Sequence, residues 1–324
     1  AVLAEYSGWG GISAQFMSYW DSQKPGYVTT AEETLKGWVR DDNTPFDHRD
    51  NESIRSTILN AHFTHSGIIA PMWRSLSQMG VSLERVLEPS CGTLDFINHA
   101  PYEVSPGTVT GVEIDGVSAR IAQALHPQST VKHAGLEKAK LPENFYDLSI
   151  SNVPFGEYKV YDRDRPQWHD SIHNYFVKKQ CDLLRPGGVS AFVISRYFLD
   201  SEDDTVRRYL MDQAHVANVI RLPSGAFSAN TGTEVATDIV VVQKKGDFEP
   251  SFTPLDITQT TTMGMALNTS EAKETQDGTL VEPGEPAEHR INQVLAENPD
   301  RIIGEPVTVT GRFGLEPAFQ HDSD

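Results

Sequence analysis

Residues 149–158 read SISNVPFGEY: an apolar-flanked run stops at Asn152 and turns at once through Val153, Pro154 and Phe155. A carboxamide oxygen at Asn152 accepts a hydrogen bond from an exocyclic amine, and the Val153 carbonyl accepts a second. Two acceptors draw electron density onto a conjugated, poorly nucleophilic nitrogen and favour its sp³ geometry during attack. Pro154 fixes the direction of the carbonyl, while Phe155 offers a face on which a flat base stacks. Alone, the same stretch also reads as a helix N-cap followed by a turn proline, so its neighbours decide.

Two upstream stretches bear on that choice. In RVLEPSCGTLDF, residues 85–96, an apolar strand runs into Glu88-Pro89, and Gly92 permits a tight turn that lets backbone N–H groups approach a ligand. In TGVEID, residues 110–115, Glu113 falls 21 residues after Gly92. An acidic residue about 20 residues past the glycine turn binds a ribose hydroxyl pair in doubly wound folds.

These turns need strands and helices to carry them. Periodicity and breakers predict a helix over 67–80, strands over 85–88 and 108–114 with a helix between them, a helix over 117–125 and a short strand near 129–132. A strand ending at Asn152, a helix over 172–184 closed by RPGG, a strand over 189–195, a helix over 204–214 and strands over 217–221 and 238–244 follow. Strands separated by helices indicate an α/β sheet of parallel order with helices on both faces, which binds ligands at the carboxyl ends of its strands. The expected organisation is an N-terminal helical and loop extension (1–59), an α/β core (60–246) and an acidic, partly disordered tail (247–324) with one short helix over 289–298. Asp162, Arg163, Asp164 and Arg165 read as a solvated loop after the turn, able to meet a substrate or cover the pocket. The chain opens and closes without punctuation, as would a piece of a longer protein.

In this order and spacing the motifs resemble the gamma class of amino-group DNA methyltransferases, which methylate N6 of adenine with S-adenosylmethionine (SAM). That family's patterns are Glu/Asp-Pro-x-x-Gly-x-Gly-x-Phe and Asn-Pro-Pro-Tyr/Phe. They stand here as Glu88-Pro89-Ser90-Cys91-Gly92-Thr93-Leu94-Asp95-Phe96 and Asn152-Val153-Pro154-Phe155. Stretches such as YSGWGG, NAHFT, SNVPFGEYKV and IRLPSGAFSANTGTEVATDIVVVQKK look like the methylase portion of large phage and plasmid proteins, some of them anti-restriction proteins, that carry a helicase-like region after the methylase. The resemblance implies a Rossmann-like class I SAM-dependent fold with a mixed seven-stranded sheet and helices on both faces. It implies Asn152, Val153 and Pro154 as the catalytic turn, Phe155 as a stacking ring and Phe227 as a second aromatic wall. Thr64, Glu88, Pro89, Gly92, Glu113, Ile114 and Glu137 would hold SAM, and DNA would be the partner, its adenine flipped from the duplex. Leu94 replaces the second family glycine, and is expected either to crowd the SAM carboxylate or to reshape the turn.

Composition limits these readings. A hydrophobic content of 38%, with no apolar run of about 18 residues, gives no membrane span. AVLAEYSGWGG lacks the basic and apolar regions of a secretory signal, and two cysteines are too few for a disulfide framework, so a reducing, cytoplasmic setting is expected. His62 and His65 have a spacing that suits a metal, but no third ligand is fixed nearby and no metal is expected. The net charge of −18 argues against a free-standing module that grips nucleic acid by neutralising phosphate. Residues 247–324 hold 15 acidic and 4 basic residues, so most of that excess lies outside the core. The resemblance implies a target-recognition domain after the last strand, for which the acidic tail, residues 247–324, is the only candidate, so DNA specificity is expected to come from elsewhere or to be absent. Two other functions stay open: a catalytically degenerate scaffold or DNA-mimicking decoy in anti-restriction, and methylation of RNA or a protein glutamine.

Overall fold

The computed structural model describes residues 64–156, 158–226, 236–275, 278–311 and 314–321, together with the backbone of a two-residue strand pair at Tyr19–Trp20 and Tyr27–Val28. The rest of the expected N-terminal extension, His62 and Phe227 lie outside the described residues.

The central sheet has seven strands: β1 (Arg85–Glu88), β2 (Thr108–Glu113), β3 (Thr130–His133), β4 (Tyr146–Asn152), β5 (Leu184–Ser195), β6 (Ala214–Arg221) and β7 (Thr237–Lys244). Their order is β3-β2-β1-β4-β5-β7-β6. All neighbours run parallel except β7, which is antiparallel to both β5 and β6. The chain winds outward from β1 to β3, then crosses to β4 on the other side, so the switch in strand order lies between β1 and β4. The two turns singled out above follow these adjacent strands.

Local sequence explains the supports of those turns. Helix α1 (Ser66–Gln78) is capped by the exposed His65, whose Nδ1 accepts from the Gly67 N–H at 3.0 Å. It buries Ile69, Met72, Trp73 and Leu76, one face of a 3.6-residue period. Trp73 Nε1 donates to the Phe96 carbonyl at 2.7 Å and fixes the short helix α2 (Asp95–Asn98) that follows the first turn. Helix α3 (Gly116–Leu125) starts on Asp115, which accepts from the Ser118 N–H at 2.8 Å and its hydroxyl at 2.7 Å. Helix α4 (Ile172–Leu183) lies against β4 and β5, where fully buried Gln180 accepts the hydroxyls of Ser149, Ser151 and Ser190. That staple satisfies polar groups in an otherwise apolar layer.

Several boundaries differ from expectation. β5 begins at Leu184 and not at Val189, because Gly188 lets the chain join β4 early: a Cβ there would lie 2.8 Å from the Tyr146 carbonyl. The register shift between Tyr146 and Leu148 absorbs the irregular start. The loop expected to be solvated is anchored: Asp162 is buried and accepts from Tyr175 and Lys179 at 2.8 Å each, while Arg165 pairs with Asp182 and Glu143. Although burial opposes it, Lys179 and Tyr175 hold the Asp162 carboxyl below the usual range.

The largest difference is the tail, which was expected to be partly disordered. After α5 (Tyr197–Asp200) and α6 (Thr205–Gln213) pack on the first sheet, β8 (Thr260–Leu267), β9 (Pro286–Asn292), β10 (Glu305–Gly311) and β11 (Gly314–Gln320) form a second sheet, ordered β9-β8-β10-β11. The helix expected over 289–298 divides into the end of β9 and a five-residue helix α7 (Gln293–Glu297). Ala287 and Ile291 of β9 and Met265 and Leu267 of β8 turn inward, so the Thr- and Glu-rich residues are the solvated face of a mixed sheet, in which β8 runs antiparallel to β9 and parallel to β10. Ile257, Ile291, Leu295 and Phe319 join the same apolar cluster as Leu199 and Val216. Arg221, 0% exposed, closes the junction by pairing with Asp238 and Asp200, with the Phe319 ring 4.8 Å from its guanidinium.

Candidate active site

β1 ends on Glu88, which is buried and returns its carboxylate to the chain beyond the turn, Oε1 accepting from the Phe96 N–H at 3.2 Å. Its other oxygen, Oε2, is also buried and has no hydrogen-bond partner among the described residues. Between these points the Cys91 N–H donates to the Val112 carbonyl at 2.9 Å, and Gly92 takes a φ of +52°. The Gly92 N–H donates to Glu113 Oε2 at 2.8 Å, and Glu113 Oε1 accepts from the Asp115 N–H at 2.7 Å. The glycine turn and the acidic residue are thus joined directly.

Leu94 takes the left-handed conformation (φ +64°, ψ +48°), which glycine adopts freely and leucine does not. Its side chain is 0% exposed, packs with Cys91 over Gly111 of β2 and is absent from the cavity wall. A Cβ on Gly111 would lie 2.8 Å from Cys91 Sγ and 3.0 Å from Leu94 Cδ2. Leu94 therefore points into the core and not into the cavity.

The second turn follows β4. Asn152 pairs with Val193, and the Val153 N–H donates to the Val193 carbonyl at 2.9 Å, which extends the strand pairing into the turn. Ser90 Oγ donates to the Asn152 carbonyl at 2.8 Å, so the two turns share a hydrogen bond across the switch point.

Between them opens a cavity of about 730 Å³, a size that suits a nucleoside-bearing ligand. Thr64, Glu88, Pro89, Gly92, Glu113, Ile114, Glu137, Asn152, Val153 and Pro154 all line it, which brings together residues spread over 91 positions of sequence. Phe155 does not: it is half-buried beside the wall. Sequence reasoning missed Ser90, Asp95, Asp115, Ser118, Tyr158, Lys159 and Tyr161, which also line the cavity. The Asp115–Ser118 cap was visible as Asp-x-x-Ser before a helix; the aromatic residues carried no signal until the loop was folded.

Three carboxyl groups at the first turn have raised pKa values. Burial, then the charge of Asp95, pushes Glu88 well above the usual range. Burial raises Glu113 to about 7 against the backbone N–H groups of Asp115 and Gly92, and raises Asp95 to about 6 against the Thr93 hydroxyl. A cation in this end of the cavity would favour the ionised forms. Thr64 Oγ1 is the second buried atom of the wall that lacks a partner among the described residues and, with Glu88 Oε2, leaves a donor and an acceptor for the carboxylate and ammonium of an amino-acid moiety. A methionine-bearing cationic cofactor fits that donor set. Among the described residues no group of three or more His, Cys, Asp or Glu could hold a metal ion, and no helix is long and apolar enough to cross a membrane.

Comparison with known proteins agrees with this geometry. The chain is 31% identical over 189 residues to the Defense against restriction protein B of Escherichia phage P1, a match that covers 56% of this chain and 8% of that protein. It is 25% identical over 153 residues to the Uncharacterized protein YtxK of Bacillus subtilis (strain 168), covering 43% and 46% of the two. The chain therefore spans less than half the length of either curated relative. A class I S-adenosylmethionine-dependent methyltransferase from Listeria monocytogenes shares the fold, with a TM-score of 0.50 at 21% identity, over 60% of this chain and 64% of that one. The model of the N-6 DNA Methylase family matches residues 108–276. With just over half of its residues so matched, the chain belongs to the N-6 DNA methylase family and its cofactor is S-adenosylmethionine.

Proposed function

We propose that the protein transfers a methyl group from SAM to N6 of adenine in DNA, as the methylase portion of a larger mobile-element protein active against restriction. The observation that carries this reading is the shared wall: Asn152, Val153 and Pro154 line the same cavity as Glu88 and Glu113, with Ser90 bonded to Asn152 between them. When bound, SAM supplies an electrophilic methyl group on a sulfonium. Glu88 and Thr64 would hold the amino-acid end, Glu113 the ribose hydroxyls, and Ile114 and Glu137 the adenine, Glu137 as an acceptor for its amino group. On the substrate side, the Asn152 carboxamide and the Val153 carbonyl accept the two hydrogens of the target amine and orient its nitrogen lone pair. Pro154 fixes that carbonyl. Methyl transfer would be a direct displacement, the N–CH3 bond forming as the S–CH3 bond breaks, with a neutral thioether as leaving group and the surplus amine proton passing to water, so alignment and electrostatics suffice without a strong general base. An adenine must leave the duplex to reach this depth. Sequence recognition, and any helicase-like partner region, belong to the larger protein.

Labelled methyl incorporation from SAM into DNA, RNA and protein, followed by nucleoside analysis, tests the reading. Expected is N6-methyladenine in DNA, with a rate loss of at least about 100-fold for Asn152→Ala. Label found only in RNA or protein would sink the DNA reading and leave the family assignment standing.

The net charge of −18 favours a second reading, a non-catalytic decoy that mimics DNA. Protection from restriction that survives Asn152→Ala and Glu113→Ala would favour it.

A further inference from the structure

Ten large apolar or aromatic side chains are exposed among the described residues, and three of them, Ile114, Tyr158 and Tyr161, line the cavity. Ile114 adjoins Glu113 at the cofactor end. Tyr158 and Tyr161, 51% and 70% exposed, follow the Asn152–Phe155 turn, with Lys159 between them on the same wall. We infer that Tyr158, Lys159 and Tyr161 form a built receiving rim for a nucleic-acid strand, the two rings stacking the extruded nucleotide and a neighbour while Lys159 meets phosphate.

The rim is held in place from below. Gly156 lets the Tyr158 ring lie on the backbone just past the turn, since a Cβ there would sit 2.9 Å from Tyr158 Cε1. Lys159 bridges Ser171 in antiparallel fashion, and the Ile172 N–H donates to the Tyr158 carbonyl at 2.9 Å, which closes the loop at its base. Buried Asp162, next to Tyr161, is fixed by Tyr175, Lys179 and the Asp164 N–H at 2.8, 2.8 and 2.9 Å. Trp168 seals the far side of the loop against Tyr175 and Tyr209. This much internal anchoring does not use the two rings, which remain on the cavity wall and in solvent. Aromatic faces beside a cation suit a single strand or an extruded base, because every base presents a π-face. In a chain of net charge −18, Lys159 is, with Lys138, one of two lysines on a cavity wall that also carries Glu88, Asp95, Glu113, Asp115 and Glu137. Phe155, half-buried beside the wall, leaves Tyr158 and Tyr161 as the exposed rings past the turn.

This inference rests on the adenine reading, and one set of measurements separates their failures. Fluorescence anisotropy of the full chain with an oligonucleotide bearing one unpaired adenine, in S-adenosylhomocysteine, reads strand binding; steady-state methylation reads KM and kcat. Tyr158→Ala/Tyr161→Ala is expected to weaken oligonucleotide binding and raise KM about 10- to 100-fold. Tyr158→Phe/Tyr161→Phe, which keeps both ring faces, should stay within about threefold of wild type, and SAM affinity by calorimetry should be unchanged in both, which shows that they fold. Lys159→Gln should lower the slope of log affinity against log salt by about one. If the alanine pair binds the oligonucleotide as wild type does while wild type methylates adenine, the rim assignment falls and the adenine reading stands. A wild type that binds no oligonucleotide overturns both.

Discussion

Leu94 is the residue at which a family pattern and a structure part company most instructively. A leucine in the left-handed region costs roughly 1–2 kcal/mol, yet this one fills the space between the first turn and Gly111. Leu94→Gly relieves the backbone and empties the core, and loss of a buried leucine side chain costs about 2–5 kcal/mol. The expected net effect is a destabilisation of about 1–4 kcal/mol in urea melts, with SAM affinity by calorimetry within about twofold of wild type. A large gain in affinity would show that the side chain does obstruct the cofactor. Glu113 gives a prediction in pH. Burial raises its carboxyl from 4.5 to about 7 in the folded protein. Its stabilising effect relative to the ionised group is therefore complete below about pH 4.5 and is lost as pH rises through 7, at most about 3 kcal/mol. Without SAM, the stability of wild type relative to Glu113→Gln should fall by about 1–3 kcal/mol between pH 5 and pH 8. A difference that is flat with pH would mean that the carboxyl is solvated.

At the scale of elements, legibility followed the source of each signal. β1 and β4 were readable because both are short apolar runs closed by residues that cannot continue a strand, Glu88-Pro89 and Asn152 ahead of Pro154. The spacing of Glu113 from Gly92 was readable too, because β2 and the turn before it have to fit a fixed geometry. Two things were not. The start of β5 was hidden because Pro186-Gly187-Gly188 reads as a turn, and only the neighbouring β4 backbone shows that Gly188 continues the pairing. The strands β8 to β11 were hidden because half their residues face water and their inward positions are small or widely spaced, so composition resembled a disordered tail. Tyr158 and Tyr161 belong to the same class of omission: their place on the wall depends on Asp162 finding Lys179, 17 residues away.

Across the whole molecule, the second sheet completes the core of the first. Ile257, Ile291, Leu295 and Phe319 share a cluster with Leu199 and Val216, and Asn292 donates through its N–H to Asp200 at 3.0 Å and through Nδ2 to the carbonyls of Leu199 and Ile257. A chain cut after Lys245 would uncover these surfaces and leave buried Arg221 open to water on one flank. It is expected to lose the single cooperative thermal transition of the parent and to elute as aggregate in size exclusion; a monomer melting near the parent temperature would show that the second sheet is an independent appendage. The Arg221 junction also sets a timetable for birth on the ribosome. Ser224 bonds to Phe319 at 2.7 Å through its N–H, across 95 residues of sequence. At about 5–20 residues per second of synthesis, the strand that carries Arg221 waits roughly 5–20 s for its cover to be translated. During that interval a nascent chain offers chaperones and proteases an open flank, which the last strand removes.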